Sequence, residues 1–162
     1  MSSREEILAL LRENARYTVE DMARQTDLDE SEVEETIEQL ESEGVVRGYQ
    51  AVVDWDNVDE PHVSAEVELN VELDRETGYE EIAGRITKFP QVATARLVSG
   101  DFDFLLIVEG DSMHDVSQFV ADQIAPIPEV TQTVTHFVMD TYKDRGVSFG
   151  DRDDDDRLSV SP

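Results

Sequence analysis

The sequence predicts an α+β fold: an all-helical N-terminal unit, then an antiparallel sheet with helices on one face. Three observations predict it. Residues 1–50 hold three short runs of helical periodicity, each opened or closed by a capping signal. Residues 63–73 alternate apolar and polar without a break, as a half-buried strand does. Beyond them, helical and strand-like runs complete the order strand, helix, strand, strand, helix, strand. That order is the ferredoxin-like split βαβ arrangement.

The elements follow in chain order. Ile7, Leu8, Leu10 and Leu11 form an apolar stripe, predicting a helix over 4–14. Thr18 with Asp21 three residues on is a capping-box pattern, opening a short helix that carries Val19, Met22 and Ala23. Asp29 and Glu32 repeat it. The third helix places Val33, Ile37 and Leu40 on one face, and Gly44 ends it as the residue past the C-cap. Three such helices, with a turn of about four residues between the second and third, form a helix-turn-helix pattern. So small a bundle has a thin core, so an attached domain is expected.

Residues 48–54, GYQAVVD, read as a strand, and WDNVDEP as a linker of turn formers ending at Pro61. The 63–73 strand has Val63, Ala65, Val67, Leu69, Val71 and Leu73 on one side, and Glu66 and Glu68 on the other. Tyr79, Ile82, Ala83, Ile86 and Phe89 mark an amphipathic helix stopped by Pro90. Strands follow over 92–98 and 102–109, joined by the turn Ser99-Gly100-Asp101. Asp111 or Ser112 caps a helix bearing Met113, Val116, Phe119, Val120 and Ile124, which Pro126 and Pro128 break. A last strand covers 130–139. The first strand is central in this topology, and the sheet face without helices must meet water or a partner. The expected organisation is a helix-turn-helix domain over 1–47 and a linker strand and loop over 48–61. A ferredoxin-like domain over 62–141 and an acidic tail over 142–162 complete it.

Charge is the strongest compositional signal. The 162 residues carry 39 Asp and Glu against 13 Lys and Arg, a formal charge of −26, and the lysines are Lys88 and Lys143. Such a surface repels itself in dilute salt. At about 1 M salt the screening length falls to ~3 Å and the repulsion fades. The acid is spread along the whole chain, so the sequence reads as adapted to a salt-filled cytoplasm, as in extreme halophiles, ahead of an acidic binder of basic partners. With no cysteine, disulfides and thiolate chemistry are excluded. No apolar run reaches the ~20 residues of a membrane span, and charges interrupt the N-terminal apolar pattern, so no signal peptide is read and the cytoplasm is the expected compartment. His62, His114 and His136 lack metal-ligand spacing, and Asp153 to Asp156 lack the spaced ligands of a calcium loop. No nucleophile elbow or phosphate loop is present, so neither enzyme chemistry, metal nor cofactor is expected.

Four segments in order carry a resemblance: ILALLRENARYTVEDMA, VEETIEQLESEGVVRGYQAVVD, GDFDFLLIVEG and IPEVTQTVTHFVM. Together they resemble the Lrp/AsnC family of transcriptional regulators over about residues 4–139. The resemblance implies a DNA-binding helix-turn-helix joined to an effector-sensing domain of the RAM type, assembled as dimers and often octamers. It implies a small-molecule effector, most naturally an amino acid, at effector-domain interfaces. The matching effector positions are Gly100, Asp101, Phe102 and Asp103 in the turn, with Thr133 and Thr135 on the last strand. A glycine turn can offer N–H groups to a carboxylate, an aspartate can accept from an α-ammonium, and threonine hydroxyls can do either.

Two departures stand out. The family's Pro-Gly-Val is here Pro128-Glu129-Val130. The third helix, which should enter the major groove, bears Glu30, Glu32, Glu34, Glu35, Glu38 and Glu41 and no Lys or Arg. Groove contacts are left to Ser31, Thr36 or Gln39, and phosphate contacts to Arg16, Arg24 or Arg47. Two functions therefore stand side by side: an effector-controlled DNA-binding regulator, and an effector-sensing oligomer that lacks direct DNA binding and acts through protein partners.

Overall fold

The computed structural model describes residues 2–150. The chain divides into two compact units, Met1–Ala51 and Val52–Pro162.

The first unit is three helices: α1 (Ser3–Glu13), α2 (Val19–Thr26) and α3 (Glu30–Ser42). Local chemistry sets each boundary. Ser2 and Glu5, then Thr18 and Asp21, close reciprocal capping boxes at the starts of α1 and α2. The Asp29 N–H donates to the Glu32 carboxylate at 3.1 Å at the start of α3. The turn between α2 and α3 spans three residues, one fewer than the sequence pattern suggested. It is that tight because Asp27 takes a left-handed conformation at φ 54°, which aspartate tolerates better than most residues. At the end of α3, Gly44 sits at φ 69° and the Val45 N–H reaches the Leu40 carbonyl at 2.9 Å, a Schellman closure. Ile7, Met22, Val33 and Leu40 are fully buried together, with Leu8, Leu11, Leu28 and Ile37 packed around them.

The strand expected over 48–54 does not form. Residues 48–54 belong to no ladder, and a single 3₁₀ turn follows at Trp55–Asn57. Alternation gives these residues strand propensity, but a strand exists only where a second backbone completes its hydrogen bonds.

The second unit runs β1 (Val63–Val71), α4 (Tyr79–Ile86), β2 (Val92–Leu97), β3 (Phe104–Gly110), α5 (Met113–Phe119) and β4 (Val130–Phe137). The α5 backbone continues through a wider i→i+5 turn over Val120–Ile124, which ends before Pro126. The four strands form one antiparallel sheet in the order β2-β3-β1-β4, so the first strand is central. Its alternation is realised directly. Ala65, Val67 and Leu69 are buried against Val108, Leu106 and Phe104 of β3, under Ile82, Ile86, Val116 and Ile124 from the helices. The opposite face carries Glu66, Glu68, Leu105, Ile107 and Val134 on paired positions, and among the described residues the helices pack on the other face. There His136 Nε2 approaches Glu68 Oε1 at 3.3 Å.

Residues 142–150, expected as the start of an acidic tail, contain a small hairpin. β5 (Lys143–Asp144) pairs with β6 (Val147–Ser148) across Arg145 and Gly146, both at positive φ. Positive φ at both central residues is the geometry that matches hairpin twist. The candidate aspartate run 153–156 lies outside the described residues.

Glu129, which replaces the family's turn glycine, is ordered by a partner. Its carboxylate is buried and accepts from Arg85 Nη1 at 2.9 Å and Nη2 at 3.1 Å, tying the turn before β4 to α4. Glu129 does not need a left-handed backbone here, so glycine is not required. The two hydrogen bonds from Arg85 hold the Glu129 carboxyl below the usual carboxylate range. A depressed native pKa contributes stability above the unfolded value of about 4.3, and that contribution is lost as pH falls through the native pKa. Glu129→Gln is therefore expected to lower stability at neutral pH and to flatten its loss below about pH 4. Denaturant unfolding followed across pH checks this. An unchanged acid limb would remove the pair from the account.

Candidate DNA-facing and effector sites

On α3, Ser31 and Gln39 are exposed, whereas Thr36 is partly buried and its hydroxyl donates to the Glu32 carbonyl at 2.7 Å. That back-bond leaves the Thr36 hydroxyl to act chiefly as an acceptor. Glu34, Glu35, Glu38 and Glu41 are exposed beside them. The helix face that could enter a groove therefore presents carboxylates around two short polar side chains. Of the three arginines expected at phosphates, Arg24 is ion-paired to Asp21. Arg16 and Arg47 are exposed and make no ion pair among the described residues. Arg47 sits beyond α3, its guanidinium over Gly44, in a surface hollow shared with Glu41 and Tyr49. Tyr49 Oη donates to Glu41 there at 2.8 Å, fixing one α3 carboxylate away from free rotation. Arg4, which sequence reasoning did not single out, is ion-paired to Glu43.

Of the positions expected at the effector, the 100–103 turn and Thr133 meet at one end of β1. The Asp103 N–H donates to the Leu69 carbonyl at 2.8 Å, and Leu69 pairs with Thr133 on its other side. The turn and Thr133 thus flank the same residue, while Thr135 lies farther along, opposite Val67. Two clips, neither foreseen from sequence, hold the turn. Asp103 Oδ2 accepts the Val71 N–H at 2.8 Å, and Asn70 Nδ2 donates to the Asp101 carbonyl at 3.1 Å. The Asp103 carboxylate is thereby committed to the backbone at the β1 bulge, whereas the Asp101 side chain is exposed. Gly100 has φ 126°, a conformation open to glycine and strained for other residues. Thr133 and Thr135 oppose buried Leu69 and Val67, so they lie on the helix side of the sheet, at its β4 edge. Asn70, an amide among the polar positions Ser64, Glu66, Glu68 and Glu72 of the alternation, was the available sequence signal for these clips. Among the described residues no cluster of His, Asp or Glu has metal-site geometry, and no helix is long and apolar enough to cross a membrane.

A capped helix-turn-helix joined to a one-sided split βαβ sheet with a clipped glycine turn is the architecture of an effector-sensing transcriptional regulator. Residues 64–148 match the Lrp/AsnC ligand binding domain, and residues 2–47 match a winged helix-turn-helix DNA-binding module. The chain is 39% identical over 158 residues to YugG, an uncharacterized HTH-type transcriptional regulator of Bacillus subtilis, covering 97% of this chain and 95% of that one. It is 28% identical over 137 residues to the leucine-responsive regulatory protein of Haemophilus influenzae, covering 85% and 82%. A Neisseria meningitidis transcriptional regulator, solved as an L-Met complex, superposes with TM-score 0.72 at 26% identity, over 89% of this chain and 92% of that one. The protein belongs to the Lrp/AsnC family of transcriptional regulators.

Proposed function

We propose that this regulator binds duplex DNA as a dimer or larger assembly, in a concentrated-salt cytoplasm, under the control of an amino acid. The observation that carries the reading is the clipped Gly100–Asp103 turn lying beside Thr133 at one end of β1. The L-Met complex of the Neisseria relative supports an amino acid as the ligand class. Asp101 is the side chain best placed for an α-ammonium, because Asp103 already holds Val71. The N–H groups around Gly100 and the threonine hydroxyls are the groups for the carboxylate. Asp101→Ala is expected to weaken binding by roughly 1–3 kcal/mol, the cost of one charged hydrogen bond. Calorimetry of the twenty amino acids at molar KCl tests this, and silence across all twenty would overturn the effector assignment.

The open sheet face supports self-association. Leu105 and Ile107 on β3 and Val134 on the edge strand β4 lie on it, with Glu66 and Glu68 of the central strand between them. Light scattering at molar KCl is expected to give at least twice the 18.3 kDa chain mass. A monomer at all concentrations would refute it. At the DNA, Ser31 and Gln39 face the groove and Arg16 and Arg47 meet phosphates. The acidic outer face of α3 favours the second reading, in which the oligomer acts through protein partners. Absence of duplex binding at every salt concentration, with the fold intact, selects that reading.

A further inference from the structure

We propose that Arg85 on α4 is a positioning residue for the 100–103 turn, acting through Glu129; this rests on the reading that the turn holds the effector. Residues 70–72, where β1 ends, are gripped from both sides. On one side Asn70 Nδ2 donates to the Asp101 carbonyl at 3.1 Å, and the Val71 N–H donates to Asp103 Oδ2 at 2.8 Å. On the other side the Thr131 hydroxyl donates to the Asn70 carbonyl at 3.2 Å, and Val130 pairs with Val71. There too the Glu72 N–H donates to the Glu129 carbonyl at 2.8 Å. The 129–131 segment and the turn thus share one short stretch of backbone. Planar peptides leave that stretch few ways to yield, so the seat of 129–131 decides where the Val71 N–H and the Asn70 amide point.

The register at this point departs from a regular ladder. Asn70 pairs with Gln132 and Val71 with Val130, so the ladder skips Thr131. A bulge of this kind bends the strands and re-aims their side chains, and a slip of one residue at the start of β4 would cancel it. Arg85 opposes the slip. Its guanidinium donates to both carboxylate oxygens of Glu129, at 2.9 Å and 3.1 Å, and to Glu81 Oε1 on its own helix at 3.0 Å. A two-pronged pair fixes orientation as well as distance, so the carbonyl that Glu129 presents to Glu72 is held to α4. That helix is itself seated by Ile82 and Ile86, both fully buried in the sheet core. A glycine at position 129 could not make this bond. None of these bonds reaches the 100–103 turn, so Arg85 acts on it through Glu129 and residues 70–72.

Amide hydrogen exchange of the full-length protein reads the effect, at about 1 M KCl, where diffuse charge effects are screened. Arg85→Gln is expected to speed exchange at the Val71, Glu72 and Asp103 amides about tenfold, while the amides of Ala65 to Leu69 keep their rates. Arg85→Lys, which keeps the charge and loses the fork, is expected to recover part of the protection. L-Methionine, titrated calorimetrically, is expected to bind Arg85→Gln several-fold more weakly than the wild type. Asp103→Ala removes the acceptor of the Val71 N–H, so adding Arg85→Gln to it is expected to weaken L-methionine no further. Acceleration spread evenly along β1, or unchanged exchange at Val71, overturns the proposal. So does an L-methionine Kd that the wild type and Arg85→Gln share. Silence of L-methionine on the wild type counts against the effector reading instead, and the exchange pattern then decides the proposal alone. If Arg85→Gln fails to fold, Glu129→Gln, which keeps the shape of the side chain, is measured in the same way.

Discussion

Raising KCl from about 0.1 M to ~2 M is expected to leave duplex affinity flat or to strengthen it, opposite to the ordinary rule. A binder that places six to ten cations on phosphates loses roughly 10³- to 10⁵-fold in affinity between 50 and 200 mM salt, because each contact releases a condensed counterion. This chain has few cations to place. Arg24 and Arg4 are already paired with Asp21 and Glu43, and α3 presents Glu34, Glu35, Glu38 and Glu41. Carboxylates near phosphates repel across about 30 Å at 0.01 M salt and hardly beyond contact at molar salt. Cations can then be taken up between the two. Glu34→Gln, Glu35→Gln and Glu38→Gln combined are expected to raise low-salt affinity roughly tenfold to a hundredfold, since each like-charge contact costs up to about 1 kcal/mol in water. Titrations of fluorescent duplex across KCl, with circular dichroism at each point, give the slope. A steep fall in affinity with salt would rule out cation uptake.

Leu40→Ala is expected to unfold the DNA-binding unit while the sheet unit stays folded. Leu40 is fully buried at the C-terminal end of α3, among the only four fully buried apolar side chains described in its unit. Truncating a buried leucine costs about 2–5 kcal/mol, lost contact plus cavity. A unit of this size has only about 3–8 kcal/mol of stability, at ~0.05–0.15 kcal/mol per residue. The substitution therefore consumes most or all of it. Hydrogen exchange at molar KCl should show protection lost over α1–α3 and kept over β1, β3 and β4. DNA binding should vanish while amino-acid binding by the sheet unit persists. Loss of protection in both units together would mean that they fold as one, and uniform retention would mean that the small core is more tolerant than its size implies.

The local rules carried most of the fold. Short-range chemistry wrote the ends of the helices: Thr18 with Asp21, Asp29 with Glu32, and Gly44 past α3 act within one turn of backbone, so sequence spacing is sufficient to read them. The same holds for β1, whose period-2 alternation is the pleat itself. The expected effector positions rest on resemblance to a family alone, because Gly-Asp turns and strand threonines are ordinary in any sheet.

What failed to read correctly was pairing at a distance. GYQAVVD alternates as a strand does, yet gains no ladder, because strand formation needs a partner that the segment does not itself contain. Residues 143–148 look like tail by composition, yet two left-handed residues fold them back into a hairpin. Glu129 looked like a lost glycine until Arg85, 44 residues earlier, supplied its partner. Asp103 looked free to bind a ligand until the sheet brought Val71 to it across 32 residues. The sequence by itself determined the helix caps, the core face of β1 and the acidic surface, since each depends on neighbours a few residues away. The tertiary structure alone decided which carboxylates are committed and which remain exposed. Those outcomes depend on which distant backbones the packed core brings within hydrogen-bond reach.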